Sequence, residues 1–340
     1  MGLLTILVPT YNRSDNLSLL LKTLRVELAG LDSEVIVLVS DNASSDRTPE
    51  VISEVKFEWP ALLVQRHPQN LGAEANFCSC VERVKTRYFW IIGDDDLPKP
   101  GVIGQLVALL HDAAPALVYM ESEWVKPITG SNQGEPVLAM RAQTMDAIAF
   151  ARRVHVWFTF ISGVVIDRSM LMRELDGHTI RRFIGTSLVQ LGWILPLLNS
   201  GGRFVFVADR CVLATKDNTG GYPLLTVFGV HFARVVNDVF GRKTELARTL
   251  KAGNTLHYLP GLLWGARTSP TGRHNDESPW PAMRQELGYQ PLFWLLLIPL
   301  GRFPAGLAQT FYQAWRVFHR LSRETRQLRY SRPRHASRPR

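Results

Sequence analysis

Residues Tyr88-Phe89-Trp90-Ile91-Ile92-Gly93-Asp94-Asp95-Asp96 carry five consecutive aromatic or apolar side chains into a glycine and three adjacent carboxylates. A short run of this kind reads as a strand buried on both faces, and the switch to acid marks where the chain leaves the core. The same switch occurs twice earlier. Leu3–Val8 is a buried strand ended by Pro9 and followed by Thr10-Tyr11-Asn12-Arg13, and Val35–Val39 leads into the polar turn Asp41–Asp46. Leu62–Val64 and Leu117–Met120 read as further strands. Between the strands lie helices. Ser14 or Asp15 caps one in which Leu17, Leu20, Leu21, Leu24 and Leu28 share a face; others follow near Thr48–Val55, Ala73–Val84 and Val102–Leu110. The alternation predicts an α/β fold, a mostly parallel sheet flanked by helices that binds ligands at the carboxyl ends of its strands. The polar clusters 9–13, 41–46 and 93–96 all fall at such ends.

The second half is less regular. Residues 126–143 are rich in Pro, Gly, Ser and Gln and read as a loop. Phe158–Ile166 and Arg203–Ala208 read as two more strands flanking a helix near 184–198. The pattern is helical from 226 to 264, and residues 265–285 read as an exposed loop. There is no internal repeat.

Charge is unevenly placed. Residues 302–340 hold ten arginines against one acid, Glu324, which accounts for the whole net charge of +9 and leaves the body neutral. A nucleic-acid enzyme carries its basic groups across the folded surface, so no nucleic-acid partner is expected; a basic tail points instead to an anionic surface. Cys78, Cys80 and Cys211 cannot make a disulfide framework, and no paired-cysteine motif indicates zinc, so a reduced, cytoplasmic chain is expected. MGLLTILVPTYNR has neither a basic leader nor a small-residue cleavage site, so no signal peptide is expected.

Three neighbouring carboxylates repel one another unless a cation neutralises them, and a divalent ion with hard oxygen ligands does so while keeping positions open for phosphate oxygens. A solvated acidic turn before a helix is the plainer alternative. Residues 1–120 hold ten bases and fifteen acids, so an anionic ligand bound there would need a metal. Asp41, at a strand end, can accept hydrogen bonds from a base or ribose, or can simply close an Asx-type turn. The chain lacks G-x-G-x-x-G, the Walker A string, G-x-S-x-G and H-E-x-x-H.

Pro9-Thr10-Tyr11-Asn12-Arg13, Asp41-Asn42-Ala43-Ser44-Ser45-Asp46, Asn70-Leu71-Gly72 with Asn76, and Gly93-Asp94-Asp95-Asp96 occur in this order. Together they resemble the donor half of family-2 glycosyltransferases of the GT-A fold, over about the first 120 residues. Gly93-Asp94-Asp95-Asp96 and the later Thr219-Gly220-Gly221-Tyr222 are similar to O-antigen abequosyltransferase-like enzymes. The resemblance implies a Rossmann-like sheet that transfers a hexosyl or deoxyhexosyl unit from a nucleotide-diphosphate sugar, with a pyrimidine nucleotide favoured. The implied acceptor is a hydroxyl of a lipid-linked oligosaccharide in bacterial surface polysaccharide synthesis. It further implies that Pro9, Thr10 and Tyr11 line the nucleoside pocket, Asp41 faces the base, Asn76 borders the donor and Asp94 approaches the ribose. Asp95, with Asp96, would hold Mg²⁺ or Mn²⁺. Gly93 stands where many relatives have the first acid of a D-x-D-D string, which leaves the register of Asp94 and Asp95 open by one residue.

Relatives often place a catalytic base on the acceptor side, where this chain reads Phe183-Ile184-Gly185-Thr186-Ser187 without an acid. Asp176 is the nominated base, with His178, Asp209 and Asp217 as rivals. The missing acid also keeps a catalytically inactive nucleotide-sugar-binding protein as the alternative reading. A nucleotidyltransferase would need a basic triphosphate loop after the first strand, and only Arg13 is there.

On this reading residues 1–120 form the donor half and 121–225 the acceptor half. Residues 226–290 form a helical extension and loop, and 291–340 an amphipathic segment with a basic tail. Pro291–Leu300 is apolar but too short to span a bilayer. Phe303, Leu307, Phe311, Trp315 and Phe318 then recur at helical spacing, with Arg316, Arg320 and Arg323 beside or opposite them. This pattern suits a helix lying in the headgroup region of an anionic membrane, the alternative being an aromatic stripe packed on the domain. The expected location is the inner face of the plasma membrane, held peripherally, with residues 331–340 disordered.

Overall fold

A computed structural model describes residues 2–126, 128, 134–216, 221–268 and 279–330, the last nine as backbone. The strands are β1 (Leu4–Thr10), β2 (Val35–Asp41), β3 (Leu63–Arg66), β4 (Tyr88–Ile91), β5 (Leu97–Pro98), β6 (Leu117–Val125), β7 (Ala142–Met145), β8 (Val164–Asp167) and β9 (Phe204–Thr215). The α-helices are α1 (Ser14–Glu27), α2 (Thr48–Glu58), α3 (Ala73–Glu82), α4 (Val102–Ala113), α5 (Ala147–Val154), α6 (Arg168–Glu174), α7 (Leu191–Ile194), α8 (Phe232–Phe240), α9 (Glu245–His257), α10 (Leu259–Thr268), α11 (Trp280–Leu287), α12 (Ile298–Arg302) and α13 (Ala305–Tyr330). Contacts divide the chain into two units, residues 1–220 with 234–250, and residues 221–233 with 251–340.

The first unit holds one sheet in the order β3-β2-β1-β4-β8-β6-β9-β5, with β7 on β9. β1 pairs in parallel with both β2 and β4, and β2 with β3. β8 runs against β4 and β6, whereas β9 is parallel to β6. The sheet is therefore parallel over its N-terminal half and mixed beyond β4. Every residue of β1 and β4 is buried, which is why these strands read as continuous apolar runs rather than alternating ones. Leu17, Leu20, Leu21 and Leu24 of α1 and Ile103, Leu106 and Leu110 of α4 pack against Leu4, Ile6, Val8 and Trp90 in one core cluster.

β1 runs two residues past its expected end at Val8. Its neighbour β4 stops at Ile91, opposite Leu7, so Pro9 reaches the sheet where a missing N–H towards β4 costs no ladder bond. The strand expected over Phe158–Ile166 is confined to its last residues. Residues His155–Thr159 and Ile161–Gly163 form 3₁₀ turns, and β8 begins only at Val164. A Cβ at Gly163 would stand 3.1 Å from Met120 O and from a Phe160 ring carbon, so the chain turns there at a backbone approach that favours glycine. β9 is longer than the expected Arg203–Ala208 and continues to Thr215. The helix expected near 184–198 is broken into α7 and a 3₁₀ turn at Pro196–Asn199. β7 and α11 each begin inside a stretch expected to be loop. The expected disorder of 331–340 lies outside the described residues. All three cysteines are free and buried, and burial pushes each thiol up to about 12.

In the second unit, one face of α13 packs. Ala308 is buried, Tyr312 stacks on Trp264 and Trp315 Nε1 donates to Leu256 O at 2.7 Å. Its other apolar face is exposed, with Leu307 at 57 % and Phe311, Val317, Phe318 and Leu321 also open. The expected stripe is thus split, Trp315 turning inward and Leu307, Phe311 and Phe318 outward. Among the described residues no helix is long and apolar enough to cross a membrane.

Trp90 is fully buried and its Nε1 donates to Ser162 O at 2.8 Å, whereas Phe57 is 89 % exposed. Trp90→Ala is expected to cost about 3–5 kcal/mol in urea unfolding, and Phe57→Ala to stay within about 0.5 kcal/mol.

Candidate active site

Side chains, more than backbone, tie the loops at the strand ends together. Asn12 sits in the left-handed region (φ 52°) after β1. Its Oδ1 accepts from Ser45 N at 2.7 Å and its N–H donates to Ser44 Oγ at 2.9 Å. Asp46 accepts from Ser14 N and Thr48 N. Burial pushes its carboxyl up, but these hydrogen bonds outweigh that and hold it below the usual range. Asn42 reaches the third loop, donating to Asn70 Oδ1 and accepting from Leu71 N. Asn76, on α3, accepts from Ser40 Oγ at 2.6 Å and donates to Ser40 O at 3.2 Å. It is buried and acts on the β2 terminus beside Asp41.

Asp41 is fully buried. Its Oδ1 accepts from Ser44 N at 2.9 Å, and Arg66 Nε stands 3.4 Å from Oδ2. Oδ2 accepts no hydrogen bond from the described residues. A buried acceptor without a hydrogen bond costs free energy, offset here in part by the Arg66 charge.

At the end of β4 the three carboxylates are handled differently. Asp94 accepts from Thr10 Oγ1 at 2.7 Å and pairs with Arg13 Nη1 at 3.2 Å. The same guanidinium nitrogen lies 2.9 Å from Asp95 Oδ2. Asp96, expected beside Asp95 as a metal ligand, has both oxygens taken within the protein, by Ser162 Oγ at 2.6 Å and Thr215 N at 3.1 Å. Ser162 Oγ also accepts from Gly93 N at 2.9 Å, and Thr215 Oγ1 donates to Asp95 O at 2.6 Å. Burial pushes Asp94 up to about 6 against the pull of Arg13 and Thr10, with Asp95 adding to the rise. Burial, then the charge of Asp95, pushes Asp96 up to about 7. Burial works against the Arg13 charge, but Asp94 and Asp95 outweigh it and raise its pKa.

Asp94 and Asp95 share the Arg13 guanidinium, and the raised Asp94 and Asp96 reflect first their burial and then the neighbouring carboxylate charge. The donor set is hard oxygen, which suits Mg²⁺ or Mn²⁺. Among the described residues no three His, Cys, Asp or Glu side chains form a closed metal cage. A cation here would rest on one or two carboxylates and complete its shell with water and ligand oxygens, as Mg²⁺ does.

The structure brings Pro9, Thr10, Asp41, Asn76, Asp94, Asp95 and Asp96 to one end of the sheet, with Tyr11 exposed beside them. It does not bring Asp176 there. Asp176 follows α6, which starts from Asp167 opposite Tyr88, the first residue of β4, whereas the carboxylates lie past the other end of that strand. Asp176 is exposed, in a left-handed turn (φ 43°), on a cleft lined by Glu174, His178, Arg182 and Asp238. Of its rivals, His178 shares that cleft, Asp209 is bound to Arg141 at 2.5–2.8 Å, and Asp217 lies outside the described residues, as do Thr219 and Gly220. Ser162 and Thr215 are not singled out by the sequence, which places Ser162 inside an expected strand and Thr215 beyond one. The polar Ser162-Gly163 pair interrupting an apolar run is the available signal.

Residues 5–178 match the glycosyl transferase family 2 model. Over 278 residues, 73% of this chain and 79% of the relative, the sequence is 37% identical to abequosyltransferase RfbV of Salmonella typhimurium. The solved structure of S. aureus TarS 1–349 in complex with UDP is similar with a TM-score of 0.64, covering 95% of this chain and 92% of that one at 14% identity. The same protein in complex with UDP-GlcNAc gives 0.61 at 16% identity, with the same coverage. At these identities the structural likeness carries the GT-A fold alone.

Ser162→Ala removes the acceptor for Gly93 N and the donor to Asp96. A loss of about 1–3 kcal/mol in chemical unfolding is expected, since buried groups are left unpaired; an unchanged midpoint would contradict this role.

Proposed function

Because the chain belongs to glycosyl transferase family 2 and is a glycosyltransferase, we propose that its sheet-end cluster takes a pyrimidine nucleotide-diphosphate sugar and a divalent cation. The sugar passes to a hydroxyl of a lipid-linked oligosaccharide in O-antigen-type surface polysaccharide synthesis. The observation that carries this reading is the convergence of Asp41, Asp94 and Asp95 at one end of the sheet, with Asp41 Oδ2 buried, accepting no hydrogen bond from the described residues and facing Arg66 Nε at 3.4 Å. An imide or amino N–H of a pyrimidine supplies a donor. The abequosyltransferase relative supports the polysaccharide context, and the UDP and UDP-GlcNAc bound to TarS support the donor class.

Each residue has its own task. Tyr11, exposed at the rim, offers a ring face to the base. Thr10 and Arg13 fix Asp94 towards the ribose. Asp95 would hold Mg²⁺ or Mn²⁺, with Asp96 setting the turn that presents it. When bound, the cation stabilises charge on the departing diphosphate. Arg13 adds a fixed positive charge at the same place. Residues 1–120 then form the donor half and 121–225 the acceptor half.

We also assign residues 291–340 to an anionic membrane surface at the cytoplasmic face. Leu295 is 69 % exposed, Trp294 is exposed beside it, and the open face of α13 carries Leu307, Phe311, Phe318 and Leu321. Arg302, Arg316 and Arg320 are near in sequence and all three are exposed, and each Arg near an anionic leaflet contributes on the order of 1 kcal/mol.

Asp95→Ala is expected to lower transfer on the order of 100-fold or more with an unchanged melting curve; full activity would contradict the metal assignment. Leu307→Asp with Phe311→Asp is expected to release the protein from phosphatidylglycerol vesicles in co-sedimentation, while leaving nucleotide binding intact.

A further inference from the structure

A second feature stands beside the carboxylates, built from residues the donor reading does not use. Trp124, near the end of β6, faces Phe160 with ring centroids 5.0 Å apart and Trp157 at 6.1 Å, the rings inclined by 52° and 45°. Trp124 is 39 % exposed and Trp157 37 %, while Phe160 is half-buried against the core and forms the floor. Together the three rings make a contiguous aromatic patch that is partly open at the surface.

Their position names the partner. Trp124 pairs with Ala214 and Val125 with Thr215, and Thr215 holds Asp96 and the carbonyl of Asp95. Phe160 lies two residues before Ser162, the other support of Asp96. The segments that bear the aromatic rings are therefore tied to the two clamps on the acidic turn. The rings and the carboxylates are held in fixed register by the same backbone. We infer that Trp124, Trp157 and Phe160 form a shelf for a pyranose ring of the acceptor saccharide. This inference rests on the glycosyltransfer reading above. A pyranose presents C–H groups on one face and hydroxyls around its rim. Inclined aromatic faces take the C–H side and leave the rim to water and polar groups, as ligand sites that are mostly apolar with few polar contacts do. The donor nucleotide and diphosphate belong at the ends of β1, β2 and β4. The shelf lies on the β6 and β9 side of the acidic turn, clear of the strand ends that the donor takes and next to the turn where its sugar would be released.

The test is saturation-transfer NMR with a panel of methyl glycosides of hexoses and deoxyhexoses, in the presence of UDP and Mn²⁺. The wild type is compared with Trp124→Ala, Trp157→Leu and the conservative Trp124→Phe, each also checked for its thermal shift with UDP and Mn²⁺. The expected result is saturation of ring C–H protons of at least one glycoside, reduced about fivefold or more by Trp124→Ala and Trp157→Leu and retained by Trp124→Phe, with the UDP shift equal in all four proteins. Undiminished saturation in the two disruptive variants overturns the shelf. So does the absence of any glycoside signal in a wild type that shows the UDP shift, and this leaves the donor reading standing. Loss of phosphatidylglycerol vesicle binding in Trp124→Ala, with saturation unchanged, would make the patch a lipid contact and also overturns it. A wild type with no shift for UDP, CDP or dTDP with Mn²⁺ removes the donor reading itself.

Discussion

Three consecutive carboxylates at the end of one buried strand impose the constraint on which the first unit depends. Like charges in a desolvated turn cannot all remain ionised without compensation, and the fold divides the problem. Asp94 is tied to Thr10 and Arg13 from the β1 loop, and Asp96 to Ser162 and Thr215 from the turn before β8 and the end of β9. Those bonds join segments far apart in sequence, so the acidic turn organises the sheet as much as the sheet presents the turn. The burial of Asp94 and Asp96 is a property of the folded state, and it sets this cluster apart from a solvated acidic turn.

The asparagines perform the complementary task. Asn12 and Asn42 use short side chains to bind neighbouring loops to one another, and Asn76 fixes Ser40 immediately before Asp41. A ligand site built from loops gains precision only when the loops are locked by such contacts. Polar residues that read as direct binding groups in a sequence can thus be the frame that holds the binding groups. Asn76 is the plainest case, since both ends of its side chain are spent on Ser40.

The first 120 residues are legible in the sequence because their physics is local. Buried parallel strands are apolar throughout, amphipathic helices repeat their leucines, and the polar switches at 9–13, 41–46 and 93–96 mark strand ends. The second half was not legible in the same way. Phe158–Gly163 is nearly as apolar as a strand, but close backbone approach at Gly163 folds it into 3₁₀ turns, a tertiary cause that periodicity does not carry. Asp176 stands near a motif position in sequence, yet α6 takes it away from the carboxylates. Ser162 and Thr215 matter through partners 66 and 119 residues away, and no window of sequence shows that. The split of the aromatic stripe on α13 follows from Trp315 finding Leu256 O, 59 residues away, again a long-range partner.

Thermal unfolding with UDP, CDP, dTDP or GDP, each with Mn²⁺, Mg²⁺ or EDTA, decides whether the sheet end binds a nucleoside diphosphate through a cation. A ligand at a hundred times its dissociation constant stabilises by about 2.7 kcal/mol, a readily measured rise in melting temperature. The expected result is a rise with a pyrimidine diphosphate and metal that disappears in EDTA. A folded sample that shows no rise with any nucleotide in any of these conditions would contradict it.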